Sequence, residues 1–346
     1  MRDPKANMEP FFNLIRQVIF WAVIAVICLM LLFTFIQVSG VNNNSSAGFE
    51  DMLTGKAAQP YVNRLLIPWV DRLVIACMPD ALQRELRQQI DRNPALLSLV
   101  QQYRAPTNFA LEAVISWILM GLCLAGFCWA FRMLISTVYV LRAVGLDLLC
   151  IIALLGLVIF FGFGYIYDFS SLFFFTLALA YLARQKWLSY SLTFVLALLN
   201  KETAVLLFFI FIPYAWMTLK RSRSTFFLLA GGQLSALLAI RWMLTRLYSG
   251  NPGALVEIHT YESGLILQAF PGLVILLMAV GILLAGLIAF RWNRKPILLR
   301  WSAVALPPLL ILYLVFGLLT EIRVFYEAYP IVWGLTLGGF LRSQNG

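Results

Sequence analysis

Charge and histidine are scarce in this chain. Charged residues occupy 12% of its 346 positions and histidine occurs once, as His259, whereas soluble domains carry about 25% charged residues. With 62% of residues hydrophobic, one water-facing core cannot hide the apolar surface. Cysteine is sparse as well. The five, Cys28, Cys77, Cys123, Cys128 and Cys150, lie within or beside apolar segments and do not group with the histidine. Their odd number argues against a disulfide framework, and they read as small core residues. No DxD sequence or histidine cluster calls for a metal, so neither metal nor cofactor is expected. Internal repeats, low-complexity tracts and a soluble domain are missing too.

What is present is a series of apolar runs. Val18–Val38, Phe109–Phe131, Leu146–Gly164 and Leu265–Phe290 are each long enough to cross a hydrocarbon layer roughly 30 Å thick. They are uniformly apolar rather than alternating, which excludes a β-barrel and leaves helices as the spanning solution. The expected fold is all-α, a polytopic transmembrane helical protein. The first run is longer than a signal-peptide core and is followed by polar Val41–Ala47, so it reads as a retained signal anchor.

The net charge of +10 is a topology signal, and no nucleic-acid partner is expected. With Arg2, Lys5 and Arg16 in the cytoplasm, the breaks at Arg132–Arg142, Arg184–Lys186, Lys220–Arg223, Arg291–Arg300 and Arg342 fall on that side, and all are basic. The intervening breaks at Tyr165–Ser171, Asn200–Thr203, Tyr248–Gly264 and Thr320–Tyr329 carry few Lys or Arg, and together with the first loop their side collects all the carboxylates but Asp3, Glu9 and Asp147, as the positive-inside rule asks. The alternation predicts about ten spans with both termini cytoplasmic. Phe169–Ala183 and Leu188–Leu199 are short for full spans. Tyr61–Met78 is left out of the count, because including it would invert every later loop.

Residues 1–346 then form one membrane-embedded domain, with an exoplasmic loop over 39–108 and the remaining helical bundle over 109–346. The loop is expected to be structured. Leu82, Leu86 and Ile90 recur every fourth position among polar residues, an amphipathic helix pattern. In Tyr61–Met78 the polar set Asn63, Arg64, Asp71 and Arg72 is expected on one face, and both segments suit a membrane surface.

Charges embedded in apolar sequence are costly, about 2.5–3.5 kcal/mol at mid-bilayer, and are functional candidates by default. Glu50 and Asp51 follow the first run, Tyr167 and Asp168 end the third, Asn200, Lys201 and Glu202 interrupt a later one, and Glu321 and Arg323 open the last. The topology puts all of them near the exoplasmic face. Bland readings compete with each. Glu50-Asp51 is also a solvated acidic pair, and Asn200 an N-cap with Lys201 and Glu202 at the water boundary. Arg64 has Asp71 as an ion-pair candidate, and Arg323 has Glu321 or Glu327. His259 reads as a loop residue, and Trp187, Trp242, Trp292 and Trp301 as an interfacial belt.

Taken together, Phe49-Glu50-Asp51, the stretch Gln59-Pro60-Tyr61-Val62-Asn63-Arg64-Leu65-Leu66-Ile67-Pro68, Tyr167-Asp168, Asn200-Lys201-Glu202-Thr203 and Glu321-Ile322-Arg323-Val324-Phe325 resemble the GT-C class of integral membrane glycosyltransferases. The layout match covers most of the chain; the motifs are short. The resemblance implies sugar transfer from a polyprenyl-phosphate donor at the exoplasmic face of a bacterial inner membrane, with Asp51, or Glu50 second, as catalytic base. Arg64, Lys201 and Arg323 would hold the donor phosphate, and Tyr167, Asp168, Asn200, Glu202 and Glu321 would support substrate. The expected partners are that lipid-linked sugar and the bilayer. No large C-terminal exoplasmic domain follows, which favours a small or lipid-linked acceptor. The rival classes are a lipid-linked-glycan transporter or flippase, and a membrane polymerase, ligase or acyltransferase.

Overall fold

The computed structural model describes residues 4–39, 45–162, 164–254, 269–317 and 321–344, and side chains within them except 4–11, 39, 45, 271, 273 and 274. His259, Thr320 and the start of the predicted Leu265–Phe290 span lie outside these residues. Regular structure among the described residues is helical, apart from one isolated bridge between Tyr139 and Ser343. Among the described residues, five helical stretches are long and apolar enough to cross a membrane: Phe12–Val38, Thr107–Val138, Ala143–Phe160, Arg223–Leu247 and Ile297–Phe316. Four others, Asp168–Ala183, Trp187–Asn200, Glu202–Thr218 and Ile275–Ala289, are apolar but shorter. Several long apolar helices are compatible with an integral membrane protein. Leu29, Leu122, Ile159, Leu188 and Leu228 all project outward, an apolar surface that is unfavourable in water and at home in hydrocarbon.

In chain order the helices are α1 (Pro4–Ser39), α2 (Phe49–Thr54), α3 (Leu66–Cys77), α4 (Asp80–Asp91), α5 (Pro94–Gln102), α6 (Ala110–Val138), α7 (Ala143–Leu155), α8 (Asp168–Ala183), α9 (Trp187–Asn200), α10 (Val205–Thr218) and α11 (Arg223–Leu247). The last described helices are Pro271–Ala289, Ile297–Ser302, Leu306–Phe316 and Tyr329–Leu337. At the centre, α6 packs on α8 and α8 on α9. Gly126 permits the first approach, since a Cβ there would stand 2.8 Å from the Phe173 ring.

The segment before α6 folds onto the bundle. Local chemistry sets its breaks: α2 ends at Gly55 in the left-handed region (φ 74°), and Asn93 caps α5 by accepting from the Leu96 N–H, with Pro94 at the first helical position. In α4, Ile90 is buried and Leu86 half-buried while Leu82 stays exposed. Arg87 ties α4 to Glu112 of α6 at 2.6 Å. Part of the stripe therefore packs on protein rather than lying on lipid.

The polar face expected in Tyr61–Met78 does not form. α3 begins only at Leu66, so Asn63 and Arg64 precede it, in and just after a 3-10 turn. Asp71 then points inward to the Ser116 hydroxyl of α6, while Arg72 is exposed. The outward face of α3 is instead apolar, carrying Trp69, Leu73 and Val74. Cys77 departs from the core reading as well: it is exposed, whereas the other four cysteines are buried.

Long-range contacts sort the connections into two sets. At one end, the Leu65 N–H donates to Leu199 O (2.9 Å), the Gln59 N–H to Pro252 O (2.8 Å), and the Asn251 amide to Gly55 O (3.0 Å) and Ala57 O (2.9 Å). At the other, Arg184 reaches Thr137 (3.1 Å), Tyr139 donates to Gly334 O (2.7 Å), and the Val140 N–H donates to Arg342 O (3.0 Å). α6 and α8 both finish at this second end, so they run parallel, and α7 is the return segment between them in the chain.

Candidate functional site

The short helices create the site. At 1.5 Å per residue, the 16 residues of α8 span about 24 Å and the 14 each of α9 and α10 about 21 Å. Each is shorter than a hydrocarbon layer roughly 30 Å thick, and the polar groups buried where these helices meet need partners inside the protein. They do so around Asp168 and Asn200–Glu202.

The Asp168 carboxylate accepts the Tyr165 N–H at 2.9 Å and so closes the turn that starts α8. Asn200, the last residue of α9, accepts from the Ser170 hydroxyl (2.6 Å) and donates to Ser171 Oγ (2.8 Å) and Tyr167 O (3.2 Å). Asn200 therefore clamps α9 to α8; it caps no N-terminus. Lys201 is extended (φ −160°, ψ 143°), which breaks the helix and turns its side chain inward. Its Nζ lies 2.8 Å from Glu327, whose carboxylate also accepts from Thr203 at 2.5 Å. Both Lys201 and Glu327 are buried, so Lys201 is not at the water boundary.

Arg323 meets Asp168 at 3.3 Å and Glu321 at 3.2 Å, and its guanidinium lies 4.1 Å from the centre of the Tyr165 ring. Arg64 pairs with Glu202 at 3.3 Å and donates to the Tyr167 hydroxyl. Its partner is thus Glu202, 138 residues away, and not Asp71. Burial works against the Arg64 charge, but Tyr167 and Glu202 more than offset it and hold its pKa above the ordinary arginine value. Glu202 is shared with Arg241 of α11 at 3.8 Å. Between the two arginines three tyrosines stack: Tyr61 on Tyr165 (5.4 Å between centres, 18°) and Tyr165 on Tyr167 (5.3 Å, 17°). Arg64 covers the outer two rings at 5.1 and 4.6 Å.

The network balances its charge. Arg64, Arg241, Lys201 and Arg323 face Glu202, Glu327, Asp168 and Glu321. A small cavity lined by Ser171, Phe175, Ala197, Lys201, Ala204 and Glu327 adjoins it. Glu327 Oε2, Arg323 Nε and Tyr326 Oη are buried without a hydrogen-bond partner among the described residues.

Of the residues expected at a site, Arg64, Tyr167, Asp168, Asn200, Lys201, Glu202, Glu321 and Arg323 converge here. Glu50 and Asp51 stand apart from the ion pairs. Both lie in the first turn of α2, Glu50 exposed and Asp51 half-buried, and Phe49, Met52 and Leu53 anchor the helix from its buried face. Phe49 packs edge-on against Tyr103 at 5.1 Å. Arg241 escaped the sequence reading, although it is an isolated charge between Ile240 and Trp242 and the rule that found Lys201 applies to it. From the sequence, Glu327 reads only as a partner for Arg323, four residues away. Against known proteins, the chain matches no family model, no curated protein and no solved structure.

Proposed function

We propose that the chain is a glycosyltransferase that moves a sugar from a polyprenyl-phosphate donor to an acceptor hydroxyl at the membrane end covered by residues 45–109. One observation carries this reading: cations from three distant segments, Arg64, Lys201 and Arg323, are gathered and held by carboxylates beneath the first loop. In the reaction the acceptor oxygen bonds to the anomeric carbon and its proton passes to Asp51, with Glu50 as second choice. The sugar–phosphate bond breaks, and the electron pair leaves with the polyprenyl phosphate. A positioned base is worth about 10²–10⁴-fold, and prefixed cations stabilise a departing phosphate without reorganising.

The accompanying topology has about ten passes, both termini in the cytoplasm and the first loop exoplasmic, in a bacterial inner membrane. It is supported by the two sets of end contacts and by the basic breaks that share one end. Cysteines placed at 222 or 185 should then resist a membrane-impermeant reagent in intact cells, while cysteines at 56 or 251 should react. Purified protein in vesicles, given radiolabelled polyprenyl-phosphate sugars, tests the activity. Transfer to an acceptor supports the reading; movement of sugar or lipid without transfer indicates a carrier instead.

A further inference from the structure

A second polar cluster lies at the opposite end, where α1, α6 and α7 meet. Asp147 of α7 accepts from Arg132 of α6, with Nη2 and Nε at 2.9 and 3.0 Å from Oδ1. Arg16 of α1 approaches the other carboxylate oxygen, its Nε 3.5 Å from Oδ2. The carboxylate is buried, whereas the arginine side chains remain 31% and 26% exposed. The Arg132 guanidinium also lies 5.3 Å from the centre of the Phe20 ring.

One carboxylate between two guanidiniums leaves a full positive charge. The terminal nitrogens of Arg16 and Nη1 of Arg132 make no hydrogen bond with the described residues. Within a turn of the cluster along each helix, Val18 and Ile19 of α1 and Val144 and Leu148 of α7 expose apolar side chains. Exposed Arg142 adds charge just before α7. An anion that suits this surface carries apolar chains with it.

We propose that Arg16 and Arg132 bind the phosphate of an anionic phospholipid, whose acyl chains lie along α1 and α7. A guanidinium grips phosphate through paired N–H donors. Asp147 keeps both arginines aimed at one place, and the excess charge selects an anionic over a zwitterionic headgroup. The site rests on the chain crossing a membrane, but not on sugar transfer.

The test uses the full chain reconstituted in phosphatidylcholine vesicles with and without phosphatidylglycerol. Co-flotation reports insertion, and mass spectrometry after mild detergent extraction reports retained lipid. The wild type should float with both vesicles and retain phosphatidylglycerol preferentially. Arg16→Gln spares the 2.9 Å Arg132–Asp147 pair and should lower that preference about fivefold, while Arg16→Lys should keep most of it. Equal preference in wild type and Arg16→Gln, with both floating normally, would overturn the lipid site. So would complete displacement of the lipid by inorganic phosphate, which would mark a free-anion site. Failure to float would defeat the membrane reading itself.

Discussion

Arg323 and Arg132 both meet an aspartate on a neighbouring helix, yet their surroundings differ. The Arg323 side chain is 6% exposed and engages two carboxylates, whereas that of Arg132 is 26% exposed and shares one carboxylate with Arg16. Burial accounts for the contrast. An uncompensated charge withdrawn from water costs several kcal/mol, so the end beneath the first loop can hold Arg64, Lys201 and Arg323, whose side chains are at most 12% exposed, only beside carboxylates that match them. The end where Arg16 sits keeps contact with its surroundings and can retain a surplus.

The largest expected effect comes from unbalancing the buried end. Lys201→Met leaves Glu327 buried and unpaired, which should cost about 3–5 kcal/mol and lower the thermal midpoint in detergent. Adding Glu327→Leu should restore most of the loss. A single variant as stable as the double would dissolve the contrast between the ends.

Arg323→Lys keeps the charge but cannot span Asp168, Glu321 and the Tyr165 ring together. A loss of about 1.5–3 kcal/mol is expected, the range for a charge-assisted hydrogen bond, again read as thermal stability. A weaker donor affinity should accompany it if the arginine also touches phosphate. Unchanged affinity alongside lower stability would assign Arg323 a structural role and turn attention to Lys201.

Asp71 sharpens the comparison through pH. Burial against α6 raises its carboxyl to about 7, the Ser116 hydroxyl opposing and Glu112 adding to the rise. A raised acid stabilises the fold while protonated in both states. That contribution is complete below the unfolded value of 3.8 and is lost as pH climbs to about 7. Unfolding free energy should therefore fall across this window by up to about 1.4 kcal/mol per pH unit. Asp71→Asn should flatten the slope, and an unaltered profile would remove Asp71 as its source.

Smallest is the effect of Arg16→Gln on stability, below about 1 kcal/mol, as for other part-exposed ion pairs. Thermal unfolding in neutral detergent measures it. A loss as large as that of Lys201→Met would show the two ends to be equally closed.

Much of this was legible in the sequence. Val18–Val38 falls inside α1 and Phe109–Phe131 inside the helical stretch Thr107–Val138, because a long apolar run has one stable form in hydrocarbon. The breaks at Asp168 and Asn200–Glu202 also stand where charge interrupts apolar sequence. Pairing was legible only at short range. Glu321, two residues from Arg323, does pair with it, but spacing along a helix also suggested Asp71 for Arg64 and Glu327 for Arg323, whereas helix ends meeting in space gave Arg64 to Glu202 and Glu327 to Lys201. The start of α3 was hidden as well. Asn63 and Arg64 fit a continuous helical face, and only the 3-10 turn at Tyr61–Asn63 takes them out of it.

Sugar transfer itself is tested most directly by single-turnover rates in vesicles with a labelled polyprenyl-phosphate sugar, comparing wild type, Asp51→Asn and Glu50→Gln. A lost base at Asp51 predicts a fall of at least about a hundredfold in Asp51→Asn, with normal folding and a largely active Glu50→Gln. Inactive Glu50→Gln beside active Asp51→Asn would move the base by one residue. Full transfer by both variants, or none by the wild type, would contradict a first-loop carboxylate mechanism.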